Sequence, residues 1–487
     1  MRVLFVQDNP LDESLALIEL AALLDLRGHR AFVLLDREER DLLKASREIG
    51  PDLVVVACSM LNHGWARGVA TRLSALGAPI LAGGTAPTLY PELLRNGPFA
   101  ALIRGEADRP VLAAIEALAS GSGLGRDVVL AIPGLALFDG DALVGTPPGP
   151  GIPMTEVPVA SKDLYYDRYP FMRRFPFKRF LASRGCHHRC SYCYISALNK
   201  VQPREPGGTW TRYKSPEQIV DEIVAEKAKG PLTHVHFSDD LFTVDADWLA
   251  RFAPLYRRRV GIPFTCNTSA ELVTEAVAAA LAEAGCWSAG FAVETGNSEL
   301  RLRVLRKGVT EENIRNAGQR LRHQGIKLAT FNMIALPGET PDGALETAAL
   351  NAEIGTDFVR MNYAFPMPGT TMNDYALEKG LLPADWMQRF ASPGFRYAPG
   401  PQFATPYRRE FENLFVLFRV AAKDQRFVPA VKRLLSLPSP KVARQLLTLQ
   451  GAWNEKLNFR IPTLEGIRYF ARVGRPELRS TNFPALL

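Results

Sequence analysis

Ser183-Arg184-Gly185-Cys186-His187-His188-Arg189-Cys190-Ser191-Tyr192-Cys193-Tyr194 is the stretch on which the reading of this chain turns. Three of the six cysteines fall within eight of its residues, while Cys58, Cys266 and Cys286 stand alone in apolar surroundings. Roughly one chain in a thousand of this composition would show the spacing Cys-x3-Cys-x2-Cys by chance. Three thiolates on one loop can hold three irons of a [4Fe–4S] cubane and leave the fourth without a protein ligand. An open metal position marks a reactive site rather than a closed structural one. Two other readings stand beside it. One is a Cys3His zinc site using His187 or His188, and the other is an electron-transfer cluster completed from elsewhere in the chain.

Working outward, the cysteines follow an apolar run, Phe180–Ser183, the first of six strand-like runs. The others are His234–Phe237, Pro263–Asn267, Ser288–Val293, Lys327–Ile334 and Phe358–Tyr363, separated by helical stretches such as Pro216–Lys229 and Thr274–Ala284. Six strand–helix units over residues 179–380 predict a partial (β/α)6 barrel, whose chemistry belongs at the carboxyl ends of its strands. Upstream, residues 1–125 alternate strands (Val3–Val6, Ala31–Leu35, Leu53–Ala57, Ile80–Ala82, Ala101–Ile103) with helices (Asp12–Leu26, Trp65–Leu76, Arg109–Ala119). This α/β alternation predicts a doubly wound, Rossmann-like parallel sheet with a ligand at its strand ends, where Gly83, Gly84 and Gly105 fall. A dinucleotide is disfavoured, since the first turn, Gln7-Asp8-Asn9-Pro10-Leu11-Asp12, has no glycine. Residues 126–178, rich in Gly and Pro and then aromatic at Tyr165, Tyr166 and Tyr169, read as a linker lying across the second domain and offering substrate contacts. Residues 381–487 read as a small helical region, with Glu410–Ala422 and Pro429–Leu435 as helices.

The bulk composition narrows the class. Hydrophobic residues make up 47% and charged residues 22%, as in ordinary globular protein. No apolar run reaches the roughly 18 residues of a membrane span, and the N-terminus lacks a signal-peptide pattern, so a cytoplasmic location is expected. There six cysteines do not make a disulfide framework. The net charge of +7 is modest. Arg257-Arg258-Arg259 and Arg173-Arg174 read as solvated helix faces, not a nucleic-acid stripe. The excess suits an anionic substrate or a phosphate-bearing cofactor.

With Ser183-Arg184-Gly185 before the cysteines and Tyr192 between the last two, the stretch resembles the radical S-adenosylmethionine (SAM) superfamily. Four further segments resemble it in order: Phe237-Ser238-Asp239-Asp240-Leu241-Phe242, Ala292-Val293-Glu294-Thr295-Gly296, Met333 to Thr340, and Phe365-Pro366-Met367-Pro368-Gly369-Thr370. The resemblance implies that Cys186, Cys190 and Cys193 ligate a [4Fe–4S] cluster. It implies SAM binding by Tyr192, by Ser238, Asp239 and Asp240 at the methionine moiety, by Glu294 and Thr295 at the ribose, by Leu336 and Pro337 at the adenine, and by Phe365.

The upstream domain, with Ala82-Gly83-Gly84-Thr85 and Ile103-Arg104-Gly105-Glu106, resembles the cobalamin-binding subgroup of that superfamily. The resemblance implies a cobalamin site of Asn9, Ser59, Met60, Gly83, Gly84, Thr85, Gly105 and Glu106. The mutase-type Asp-x-His-x-x-Gly is missing after the first strand, which implies cobalt without a histidine lower ligand. His63 reads as the start of a surface helix and Cys58 as a small core residue. The implied activity is a cobalamin-dependent radical methylase acting on an unactivated carbon of a biosynthetic intermediate. The substrate would be a small molecule or peptide, and a flavodoxin- or ferredoxin-type protein would supply low-potential electrons. Radical cyclisation or ring contraction is the runner-up, and a cobalamin or iron–sulfur sensor the reading from another class.

Overall fold

The computed structural model describes residues 1–8, 13–392, 394–395, 400–438 and 456–461. Its first sheet contains β1 (Arg2–Gln7), β2 (Arg30–Leu35), β3 (Leu53–Ala57), β4 (Ile80–Gly83) and β5 (Ala101–Ile103), all parallel in the order β2-β1-β3-β4-β5. Val3 to Val6 are fully buried, because helices cover both faces of such a sheet. These helices are α1 (Leu15–Leu26), α2 (Leu42–Ile49), α3 (His63–Leu73), α4 (Thr85–Leu89) and α5 (Asp108–Ala119). Ser14 starts α1 by accepting the Leu17 N–H, three residues later than expected from sequence. The chain reverses its winding between β1 and β3, and sheets of this topology open a crevice beyond the strand ends at that point.

The expected linker begins too early. After the short helix α6 (Arg126–Ala131), β6 (Leu135–Asp139) and β7 (Ala142–Gly145) add an antiparallel hairpin to the edge of β5. The sheet is therefore mixed, with seven strands. Gly140 at φ 59° supplies the left-handed residue that the two-residue turn Gly140-Asp141 requires. The aromatic stretch that follows seals the first domain instead of offering its rings to a substrate. Tyr165 and Tyr166 are buried, and their hydroxyls donate to Gln7 at 2.7 Å and Glu13 at 2.5 Å. Tyr169 accepts the Leu35 N–H at 2.8 Å.

The second sheet starts at β8 (Phe177–Phe180), three residues before the expected Phe180–Ser183. The reason lies in Ala182 and Ser183, which leave the sheet. The buried Asp239 carboxylate accepts the Ala182 N–H at 3.1 Å and the Ser183 hydroxyl at 2.5 Å. Ser183 then joins β9 (Ser183–Arg184), which pairs antiparallel with β10 (Arg212–Tyr213). The remaining strands are β11 (His234–Phe237), β12 (Phe264–Thr268), β13 (Cys286–Glu294), β14 (Lys327–Ile334) and β15 (Phe358–Tyr363). With β8 they form one open parallel sheet in chain order, a curled partial barrel.

The helix Thr371–Glu378 ends the barrel region, and among the described residues the C-terminal region is helical at Trp386–Ala391, Arg408–Ala421 and Val428–Leu434. Phe411, Leu414 and Phe418 bury against Val359, Met361 and Tyr363 of β15. Residues 456–461 bring Phe459 4.9 Å from Phe177 on β8 and under Arg360 on β15, which links the two edges of the sheet. His63 does start α3, but it is 1% exposed, with its ring stacked 5.8 Å from Phe390. The surface position expected for it is replaced by a contact between the first domain and the C-terminal helices. No helix among the described residues is long and apolar enough to cross a membrane.

Candidate active site

The three cysteines lie on the loop from β9 to the helix Tyr194–Val201. Gly185 opens that loop at φ 98°, where a Cβ would meet the Trp210 carbonyl oxygen at 2.0 Å, so only glycine fits. The His188 N–H points at Cys186 Sγ from 3.4 Å, and Asn199 Nδ2 donates to the Cys186 carbonyl at 2.8 Å. Cys193 caps the helix, and its thiol faces the N–H groups of Ile195 and Ser196. Ser191 pins the loop from the other side, donating from its N–H to Leu305 O at 2.9 Å and from its hydroxyl to Val304 O at 2.6 Å.

All three thiols are free, and burial pushes Cys186 up to about 12, Cys193 up to about 11 and Cys190 in the same direction. Such groups become thiolates only against a bound cation, and three soft sulfurs receiving N–H bonds suit an iron–sulfur cluster. The zinc alternative needs a histidine turned toward the sulfurs. His188 instead sets Nε2 2.9 Å from Glu271 Oε1, and His187 is exposed. Burial alone would raise Glu271, but the hydrogen bonds from His188 and Ser269 hold it down to about 2.

Around the loop, the strand ends carry unusual backbone. Glu294 closes β13 at φ 61°, next to a register shift against β14, and Ala335 follows β14 at φ 58°. Non-glycine residues in this conformation store strain and cluster at functional sites. Glu294 is 6% exposed, and Tyr192 donates its hydroxyl to Oε1 at 2.6 Å. Burial pushes its carboxyl up, opposed by Lys307 and by Tyr192. Glu339 folds back over the Ala335–Gly338 turn and accepts the Leu336 N–H at 3.1 Å, with Leu336 and Pro337 buried beneath. Burial pushes Glu339 up to about 8.

The expected SAM residues divide into two sets. Ser238 and Asp240 line a cavity, the Gly185 N–H points at Asp240, and burial pushes Asp240 up to about 6. Phe365 stands half-buried beside Trp386 and Phe390. Asp239 and Thr295 are not available to a ligand. Both are fully buried, Asp239 holding Ala182 and Ser183, and Thr295 accepting Arg301 at its carbonyl while its hydroxyl meets Glu339.

The cavity, about 780 Å³, lies between the two domains. One wall is the carboxyl end of the first sheet, with Ser59, Gly83, Gly84, Thr85, Gly105 and Glu106; the other has Ser183 to Gly185, Tyr194, Ser238 and Asp240. Met60 does not belong to it, being 2% exposed in the core with its N–H on Thr85 Oγ1. Asn9 lies outside the described residues. Gly84 must be glycine for the backbone as well, since at φ 125° a Cβ would sit 2.4 Å from the Cys58 carbonyl oxygen. Glu106 turns its carboxylate to Arg184 and Arg212.

Sequence reading passed over Tyr194, directly after the third cysteine, and Lys307, whose ammonium acts on both Glu294 and Cys190. Arg179, which donates to Ser238 Oγ at 2.9 Å, was passed over as well. Tyr194 could have been found from its neighbour, but Lys307 and Arg179 carry no local signal.

Residues 180–350 match the radical SAM superfamily. An uncharacterized methyltransferase of Pyrococcus horikoshii is 26% identical over 349 residues, 70% of this chain and 73% of that protein. Two solved structures share the architecture. One is the radical SAM methyltransferase TsrM from Kitasatospora setae with tryptophan substrate and a SAM analogue bound (TM-score 0.63, 19% identity, 88% of this chain and 83% of that one). The other is the cobalamin-dependent SAM radical enzyme OxsB with aqua-cobalamin and SAM bound (TM-score 0.65, 15% identity, 94% and 71%).

Proposed function

We propose that this chain, a radical SAM protein with the two-domain fold of the cobalamin-dependent branch, is a methyltransferase acting on an unactivated carbon of a small biosynthetic intermediate. The observation that carries the reading is the cavity between the two domains, whose walls come from the cobalamin-type strand ends and from Gly185 and Tyr194, the residues on either side of the cysteine loop. Cys186, Cys190 and Cys193 would hold a [4Fe–4S] cluster, and Ser59, Thr85 and the strand-end glycines would receive cobalamin. Bound there, the cluster supplies the electron that splits SAM to a 5′-deoxyadenosyl radical, and cobalamin carries the methyl group.

The chain's own residues bind and orient. Glu294 offers a carboxylate to the ribose diol, held in place by Tyr192. Asp240 accepts from the amino group of the methionine moiety. Glu339, kept neutral near pH 7 by burial, closes its turn over buried Leu336 and Pro337 and keeps water from the adenine side. An external donor of flavodoxin or ferredoxin type would bring the electrons, and the protein would work in the cytoplasm.

Product analysis tests the reading. Under low-potential reduction with substrate, a methylase forms S-adenosylhomocysteine and 5′-deoxyadenosine together with a methylated product. A cyclase or ring-contracting enzyme forms no S-adenosylhomocysteine, and that outcome would replace the proposal.

A further inference from the structure

Arg184 stands two residues before Cys186, yet its side chain leaves the cluster domain. Its guanidinium reaches Glu19 on α1 from Nε at 2.9 Å and Nη2 at 2.5 Å. It reaches Asp108, the first residue of α5, from Nη1 at 2.6 Å, and Glu106 at 3.3 Å. Lys214, just past β10, binds Glu19 at 2.7 Å and Glu222 at 2.8 Å, and Arg212 of β10 pairs with Glu106. The Glu19, Asp108 and Lys214 side chains are 3%, 4% and 1% exposed. Both strands of the ribbon that carries the cysteine loop are thus tied by cations to carboxylates of the first domain.

A buried ionic cluster is weak evidence for stability, because desolvation offsets most of the attraction. What it supplies is direction, since a guanidinium fork accepts carboxylates in few orientations. Here that direction has a consequence for the cavity. Arg184 and its partners Glu106 and Asp108 all stand on the cavity wall, between the first-sheet strand ends and Tyr194. A slip of the ribbon would move Gly185, Cys186 and Tyr194 relative to Ser59 and Gly83–Thr85.

We propose that Arg184 is a positioning residue that registers the cysteine loop against the first domain, so that the methyl carrier and the radical source face one substrate carbon. The inference rests on the proposed function. Arg184 acts through Glu19 and Asp108. Its charge and fork set how well the two halves are coupled more than whether SAM is cleaved.

The test uses the full chain loaded anaerobically with iron, sulfide and hydroxocobalamin, as wild type, Arg184→Gln and Arg184→Lys. Pulsed EPR reads the spin–spin distance between the reduced cluster and cob(II)alamin. A second assay, with SAM alone and a low-potential reductant, reads the ratio of S-adenosylhomocysteine to 5′-deoxyadenosine. Wild type gives one narrow distance. Arg184→Gln broadens it and lowers the ratio by up to about 10²-fold, the scale that a misplacement near 1 Å can reach. Arg184→Lys, which keeps the charge and loses the fork, recovers only part of both. A narrow distance with an unchanged ratio in Arg184→Gln overturns the proposal, and so does a Lys variant no better than Gln. Should Arg184→Gln lose its cluster, Asp108→Asn removes one prong and takes the same readouts, with the same result expected and the same one overturning it. If wild type takes up no cobalamin, the functional reading fails by itself. Registration is then read by hydrogen exchange, which Arg184→Gln must speed in residues 182–186 and in α1 and α5 together; unchanged exchange overturns it.

Discussion

The two sheets turn the carboxyl ends of their parallel strands to one cavity and furnish those ends differently. Among the described residues, the first sheet presents Ser59, Gly83, Gly84, Thr85 and Gly105, small groups and bare backbone, and its one nearby glutamate, Glu106, is spent on two arginines. The barrel side has Asp240 on the cavity wall and Glu294 and Glu339 buried at its strand ends, carboxyls that burial pushes up, two of them next to or in strained backbone. The first arrangement suits holding a broad ligand by shape; the second places charge at chosen points and stores strain to do so. Changes on the barrel side should therefore hit chemistry, and changes on the first sheet should hit uptake and stability.

The largest effect is expected from Cys193→Ala. Reductive SAM cleavage, followed as 5′-deoxyadenosine, should fall to background while hydroxocobalamin uptake persists; cleavage at the wild-type rate would break the comparison at its strongest point. Gly84→Ala is its counterpart in the other sheet. The Cβ contact with the Cys58 carbonyl at 2.4 Å and the positive φ should cost the first domain about 2–3 kcal/mol. Denaturant unfolding followed by a first-domain probe should show that loss, with reduced cobalamin uptake and the cluster intact.

Glu294→Gln keeps the shape and removes the charge. It should raise the SAM concentration needed for half-maximal cleavage by about tenfold, as loss of a charge-assisted bond would, with cobalamin uptake unchanged. Glu339 predicts a pH-dependent change. Its carboxyl is pushed from 4.5 to about 8 on folding, so the neutral form is the one the fold favours. Its contribution is fully present below pH 4.5 and is lost as pH rises toward and through 8. The melting temperature of wild type should drop between pH 5 and 9 relative to Glu339→Gln, whose amide cannot ionise, and parallel curves would remove the burial argument for this turn.

The strand–helix rhythm was readable because burial on both faces forces continuous apolar runs, as in Val3–Val6 and Leu53–Ala57. The β6–β7 hairpin was hidden, although Asp139-Gly140-Asp141 between apolar pairs is a turn signal, because the neighbouring Gly and Pro suggested an unstructured link. At the site, the motifs located the right segments but not the side each residue faces. Successive residues at a strand end point opposite ways. So Asp239 turns inward to hold Ser183 while Asp240 meets the cavity, and Met60 goes to the core while Ser59 lines the wall. The Arg184 cluster had no local signal at all, since 165 residues separate Arg184 from Glu19.

The claim that this chain holds both cofactors is tested most directly by counting metals in one preparation. Full-length protein reconstituted anaerobically with iron, sulfide and excess hydroxocobalamin, then desalted, should retain about four irons and about one cobalt per chain. Cys193→Ala should lose iron while keeping cobalt. Four irons with no cobalt in the wild-type protein would contradict the account.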